Sequence, residues 1–120
     1  MMPRPVIIVP YNQDWPRIYE KERKLILGAT GGIIRSLEHI GSTSIPGLWS
    51  KPIIDIIAGV NNLKSAEECR NILKTLRYED VSPGDHPDWY YCLGKISHGP
   101  GFHQHLVKEE FIPIETHTLP

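Results

Sequence analysis

The chain has 120 residues, with 13 Lys plus Arg against 14 Asp plus Glu and a formal net charge of −1. A chain of this length buries roughly two thirds of the surface its unfolded form exposes, which supports one core and makes two domains unexpected. Apolar residues make up 40% and charged residues 22%, which excludes disorder and collagen-like bias. The near-neutral charge argues against a general electrostatic grip on nucleic acid or anionic lipid.

The longest apolar runs, Val6 to Val9 and Pro52 to Val60, fall well short of the ~20 residues a membrane helix needs. The opening Met1-Met2-Pro3-Arg4 passes within a few residues into Tyr11-Asn12-Gln13-Asp14, without the apolar core of a secretion signal. Cys69 and Cys92 are two lone thiols, with neither the count nor the spacing of a disulfide framework or a Cys-x-x-Cys site. A cytoplasmic protein without membrane partners is the expectation.

In chain order, Val6 to Val9 is a β-branched run ended by Pro10, which suits an edge strand or an extended arm on the main sheet because proline brings no ladder donor. Asp14 before Trp15-Pro16 predicts a helix cap. Ile18, Leu25 and Ile26 then recur at helical intervals, so a first helix is expected from about Trp15 to Leu27. Its charged residues Glu20, Lys21, Glu22, Arg23 and Lys24 read as a solvated face. Ala29-Thr30-Gly31-Gly32 breaks the helix, and Ile33 to Ile40 reads as a strand.

Gly41-Ser42-Thr43-Ser44-Ile45-Pro46-Gly47 is dense in turn formers and predicts a loop or a brief helical turn. Pro52 to Val60 is nearly all apolar and β-branched with Asp55 in its middle, the pattern of a strand covered on both faces. Ser65-Ala66-Glu67-Glu68 has the form of a capping box. It opens a second helix whose apolar face is Cys69, Ile72, Leu73 and Leu76. Tyr78 to Val81, Trp89 to Lys95 and Phe102 to Val107 read as strands. Residues 1–107 form the expected domain, and 108–120 an irregular tail.

A glycine followed by hydroxyl residues at a strand end lets backbone approach an anionic group, whose oxygens accept from backbone N–H and serine hydroxyl. Gly41, Ser42, Thr43 and Ser44 are candidates for such a phosphate grip, with Lys51 to offset charge. Asp55, on the neighbouring strand, is placed to hold a hard divalent ion against the same phosphates. His103 and His105, two apart on a strand, share a face and are candidate metal ligands. With His98 they make an alternative three-histidine metal group, histidine suiting zinc or manganese better than magnesium. Trp89-Tyr90-Tyr91 offers either core packing or a surface for stacking on a base.

The run His39-Ile40-Gly41-Ser42-Thr43-Ser44-Ile45-Pro46-Gly47-Leu48, continuing through Lys51-Pro52-Ile53-Ile54-Asp55-Ile56, resembles the signature of the GrpB family of the nucleotidyltransferase superfamily, which has the polymerase-beta-like fold. Val9-Pro10-Tyr11, Trp15-Pro16 and His103-Gln104-His105-Leu106-Val107 extend the likeness over about residues 6 to 107. The resemblance implies an α/β (α+β) fold, a mixed β-sheet flanked by helices. It assigns Gly41 and Ser42 to nucleotide phosphates and Asp55 to Mg²⁺ (or Mn²⁺). The implied activity is transfer of a nucleotidyl group from a nucleoside triphosphate such as ATP to an unknown acceptor, with Ser42 and Asp55 as its catalytic residues. The superfamily's second acid falls here on Ile57, and its third lies on the strand that carries His103 and His105. A non-catalytic phosphate-binding domain is therefore the alternative. Family members continue beyond the histidine strand into a helical part, where this chain has Lys108 to Pro120.

Overall fold

The computed structural model describes residues 7–81 and 89–109, with Trp89 described through its backbone. Val6, residues 82–88 between two of the expected strands, and residues 110–120 of the expected tail lie outside the described residues. The elements run α1 (Trp15–Thr30), β1 (Ser36–Ile40), a 3₁₀ turn (Ser42–Ser44), β2 (Ile53–Val60), α2 (Leu63–Thr75), β3 (Glu79–Asp80), β4 (Trp89–Lys95) and β5 (Gly101–Lys108). One five-stranded sheet results, in the order β1-β2-β5-β4-β3. β2 and β5 are parallel and every other pair is antiparallel, so the sheet is mixed and the expected α+β class is found.

Local chemistry moves several boundaries. α1 runs past Leu27 to Thr30 and ends at Gly31, whose φ of 58° places it in the left-handed cap region while its N–H bonds Leu27 O at 3.2 Å. The break thus belongs to the two glycines and not to Ala29-Thr30, whose threonine hydroxyl bonds back to Ile26 O at 2.9 Å. Asp14 holds the cap position without a side-chain cap bond. α2 begins two residues before Ser65. Asn62 is its cap, its Oδ1 accepting from the Ser65 N–H at 2.9 Å, so Ser65 lies inside the first turn as a donor and the expected capping box is displaced. Among the described residues of the N-terminal arm none joins a sheet strand: Val9 makes a two-bond bridge to Ser50, both bonds 2.9 Å.

Alternation along the strands sorts the molecule into two faces. Ile54, Ile56, Ala58, Leu93, Phe102 and Leu106 meet Trp15 and Ile26 of α1 and Cys69 and Leu73 of α2 in the main core. Burying such side chains stabilises by roughly 1.5–3 kcal/mol each. Gln104 is fully buried on this face with neither amide atom hydrogen-bonded. The opposite face carries Asp55, Ile57, His103, His105 and Val107, and Ile57 and Val107 form a small second cluster with Ile40.

One charge read as solvated is buried. Glu22 is 7% exposed; the Tyr78 hydroxyl donates to its Oε2 at 2.7 Å and Lys95 forms an ion pair with the same oxygen. The Lys95 ammonium also lies over the rings of Tyr78 and Phe102, 4.9 and 5.2 Å from their centroids. A helical pattern of charges does not reveal that one of them meets a lysine 73 residues away.

Candidate functional site

The site forms where β1 ends and β2 begins. Ile40 and Asp55 are register partners, so the chain leaving β1 turns directly beside the carboxylate. Gly41 makes that turn with φ 76° and ψ −170°, a conformation that favours glycine. A Cβ built on it would lie 2.8 Å from Asp55 Oδ2, so glycine is required twice, for its dihedral and for the carboxylate packed against it. The bend then closes as a 3₁₀ turn, with Ser44 N–H and Oγ both donating to Gly41 O, at 3.0 and 2.6 Å.

The hydroxyl residues of the bend divide. Ser42 is exposed and Ser44 half-buried, whereas Thr43 is 1% exposed. Thr43 Oγ1 donates to Ile53 O at 3.1 Å and stands 2.9 Å from His39 Nε2. Since the hydroxyl's one proton goes to the carbonyl, His39 Nε2 carries the other, which sets the tautomer. His39 stacks on Tyr19 at 4.9 Å. Burial pushes its pKa down to about 4, the nearby Asp55 charge opposing this only in part. Thr43 and His39 therefore brace the bend from inside. Lys51 is exposed just before β2.

Asp55 has two imidazole neighbours. β5 runs parallel to β2 with His103 opposite Asp55 and His105 opposite Ile57. His103 Nδ1 lies 3.6 Å and His105 Nε2 3.5 Å from Asp55 Oδ1. Gly94 is the register partner of His103; a Cβ there would meet Val81 Cγ1 tightly at 3.2 Å and the His103 ring at an ordinary 3.5 Å. The other nitrogen of His105, Nδ1, is 3.4 Å from Cys92 Sγ on β4. Desolvation pushes the His105 pKa down, but its hydrogen bonds to Asp55 and Cys92 and the charges of both outweigh that, raising it to about 9. His105 is thus an imidazolium at neutral pH, partnered on both sides.

Gly41 and Asp55 are brought together as the spacing predicts, with Ser42 next in the bend, and His103 and His105 join Asp55 from the strand that the resemblance implies. Other candidates stand elsewhere. His98 is exposed in the hairpin between β4 and β5, and among the described residues no three His, Cys, Asp or Glu side chains converge into a metal site. The three-histidine group is therefore not assembled. Tyr91 faces α2: its ring lies under Arg70, 5.0 Å from the guanidinium carbon, and its hydroxyl is 3.5 Å from Glu67. That direction is away from Asp55, so it offers no stacking surface there. Cys92 is the neighbour that the sequence alone does not reveal, because its proximity to His105 depends on the β4–β5 register.

The sheet order, with a glycine bend packed onto a strand carboxylate, defines a nucleotidyltransferase-like fold. The family profile described as GrpB protein matches residues 5–119, and the chain belongs to the GrpB family. It is 25% identical to a chain of the crystal structure of conserved protein GrpB from Enterococcus faecalis, with a TM-score of 0.76, covering 88% of this chain and 63% of that one. It is 39% identical over 66 residues to "Glutamate-rich protein GrpB" of Alkalihalophilus pseudofirmus, covering 55% of this chain and 38% of that protein. It is 33% identical over 119 residues to "UPF0157 protein YqkA" of Bacillus subtilis, covering 97% of this chain and 34% of that protein. A further likeness, 33% over 67 residues, is to a protein named "Dephospho-CoA kinase" of Mycolicibacterium paratuberculosis, covering 53% of this chain and 16% of that protein. The chain spans about two fifths of the length of the first curated relatives it matches. No helix among the described residues is long and apolar enough to cross a membrane.

Proposed function

We propose that this domain binds the triphosphate of a nucleoside triphosphate such as ATP at the bend Gly41–Ser44. The observation that carries the reading is the packing of Asp55 Oδ2 against Gly41, which puts the hydroxyl-lined turn and the only acid of β2 in one place. Backbone N–H groups of the bend not engaged in the turn and the exposed Ser42 hydroxyl are the donors a phosphate needs, while Ser44, bonded to Gly41 O, holds the bend closed. The imidazolium of His105 offsets the Asp55 charge, and the exposed Lys51 ammonium, without an ion-pair partner among the described residues, supplies attraction.

A resident two-ion centre does not fit these residues. Ile57 occupies the second acid position, and Asp55 has imidazoles rather than carboxylates beside it; a two-metal displacement needs ligands on both sides of the reacting phosphate. Mg²⁺ enters this reading with the triphosphate, held by phosphate oxygens and water as magnesium commonly is. Ile57 thus favours binding over nucleotidyl transfer to an acceptor.

Isothermal titration with ATP is expected to show binding in Mg²⁺ and in chelator, weakened by Ser42→Ala and by Lys51→Ala, with no pyrophosphate released. Failure of both ATP and tripolyphosphate to bind would overturn the reading, and release of pyrophosphate would return the site to transfer.

A further inference from the structure

We propose that Cys92 is a reactive thiol, with His105 as the imidazolium that pairs with its thiolate and protonates the departing oxygen and Asp55 as the group that orients that imidazolium, and that a small hydroperoxide oxidises it to a sulfenic acid. The three residues lie on the adjacent strands β4, β5 and β2. Cys92 Sγ is 3.4 Å from His105 Nδ1, and His105 Nε2 is 3.5 Å from Asp55 Oδ1. A thiol, an imidazolium and a carboxylate in that order, the two partners on opposite nitrogens of one ring, are the parts of an activated nucleophile. Strand pairing holds them: Cys92 and His105 are register partners, and Asp55 is opposite His103. This inference does not depend on nucleotide binding.

The step balances without further reagents. The thiol proton passes to water, and the resulting thiolate, beside the His105 imidazolium, attacks one peroxide oxygen with a sulfur lone pair. An S–O bond forms as the O–O bond breaks, the departing oxygen takes a proton from His105 Nδ1, and His105 regains one from the protonated water. Thiol and hydrogen peroxide become sulfenic acid and water, the thiol oxidised and the peroxide reduced. Cys92 is 7% exposed, so the geometry suits a two-oxygen oxidant better than a bulky disulfide. Cys69, the other thiol, is fully buried in the helix-covered core. Burial pushes it up to about 12, and it lies across the sheet from Cys92. It therefore serves as an internal control and not as a resolving partner.

The test treats the full chain with hydrogen peroxide in the presence of dimedone and maps adducts by peptide mass spectrometry. Native Cys92 is expected to react about tenfold faster than the same residue in the urea-unfolded chain, while native Cys69 remains unlabelled. His105→Asn is expected to lower the native Cys92 rate about tenfold, with Cys69 still protected. If labelling of Cys69 shows that this variant has unfolded, Asp55→Asn takes its place and is expected to slow Cys92 as well. A native Cys92 rate at or below that of the unfolded chain, or a rate unchanged in the folded variant, would overturn the assignment. Neither readout involves a nucleotide, so its failure is distinct from failure of the phosphate reading.

Discussion

On the helix-covered face of the sheet, His39 is half-buried against Tyr19 and held neutral, its pKa lowered to about 4. On the opposite face, His105 lies between Cys92 and Asp55 and is raised to about 9. The two thiols divide in the same way, Cys69 in apolar surroundings and Cys92 beside an imidazole. Desolvation acts on both histidines and pushes both down; what reverses the outcome is a carboxylate and a sulfur in direct contact with one of them. Burial by itself silences a titratable group, whereas burial with a charged partner fixes it in its charged form.

The sharpest way to break this contrast is to remove the exception on the helix-covered face. Glu22 is an ionised group there with two partners, Tyr78 and Lys95. Glu22→Ala leaves the Lys95 charge buried without its acid and is expected to cost about 3–5 kcal/mol in urea unfolding. A loss under about 1 kcal/mol would mean that Lys95 finds water, and that this face is less dry than its core residues suggest.

A smaller effect is expected on the site side. Gly41→Ala places a methyl against Asp55 Oδ2 in a left-handed conformation and is expected to cost about 1–3 kcal/mol. Adding Asp55→Ala should recover part of that loss, because the steric share disappears with the carboxylate. Strict additivity in the double-mutant cycle would show that the dihedral alone requires glycine.

The pH dependence is spread over several pH units, so its change at any one pH is the smallest of these, and its signs are opposite on the two faces. His105 has a folded pKa above its ordinary 6.5, so its contribution is whole below about 6.5 and is lost as pH rises through about 9. His39 has a folded pKa below 6.5, so its contribution is whole above that value and is lost as pH falls through about 4. Stability measured against pH should therefore lose its alkaline slope in His105→Asn and part of its acid slope in His39→Asn. The same slopes in both variants would erase the distinction between the faces.

Much of this arrangement is legible in the residues. Asp55 stands out because an acid in a β-branched apolar run needs a partner, and Gly41-Ser42 stands out as a turn at a strand end beside it. The helices follow from apolar spacing, though their ends do not: Asn62 displaced Ser65 as a cap because an extended residue ahead of the helix could accept from the N–H of Ser65. Thr43 looks like its serine neighbours in sequence, yet it is turned inward to Ile53 and His39. Nothing local separates the three hydroxyls.

The amino-acid order by itself determined the strands, the helices, the bend and the family, since periodicity, turn chemistry and a contiguous motif are properties of short stretches. Only the tertiary structure decided that Glu22 is buried, that Tyr91 faces α2, and that Cys92 and Asp55 share one histidine. Those contacts join residues far apart along the chain, 50 positions in the case of Asp55 and His105. Strand order and register, which no single segment encodes, set which side chains meet.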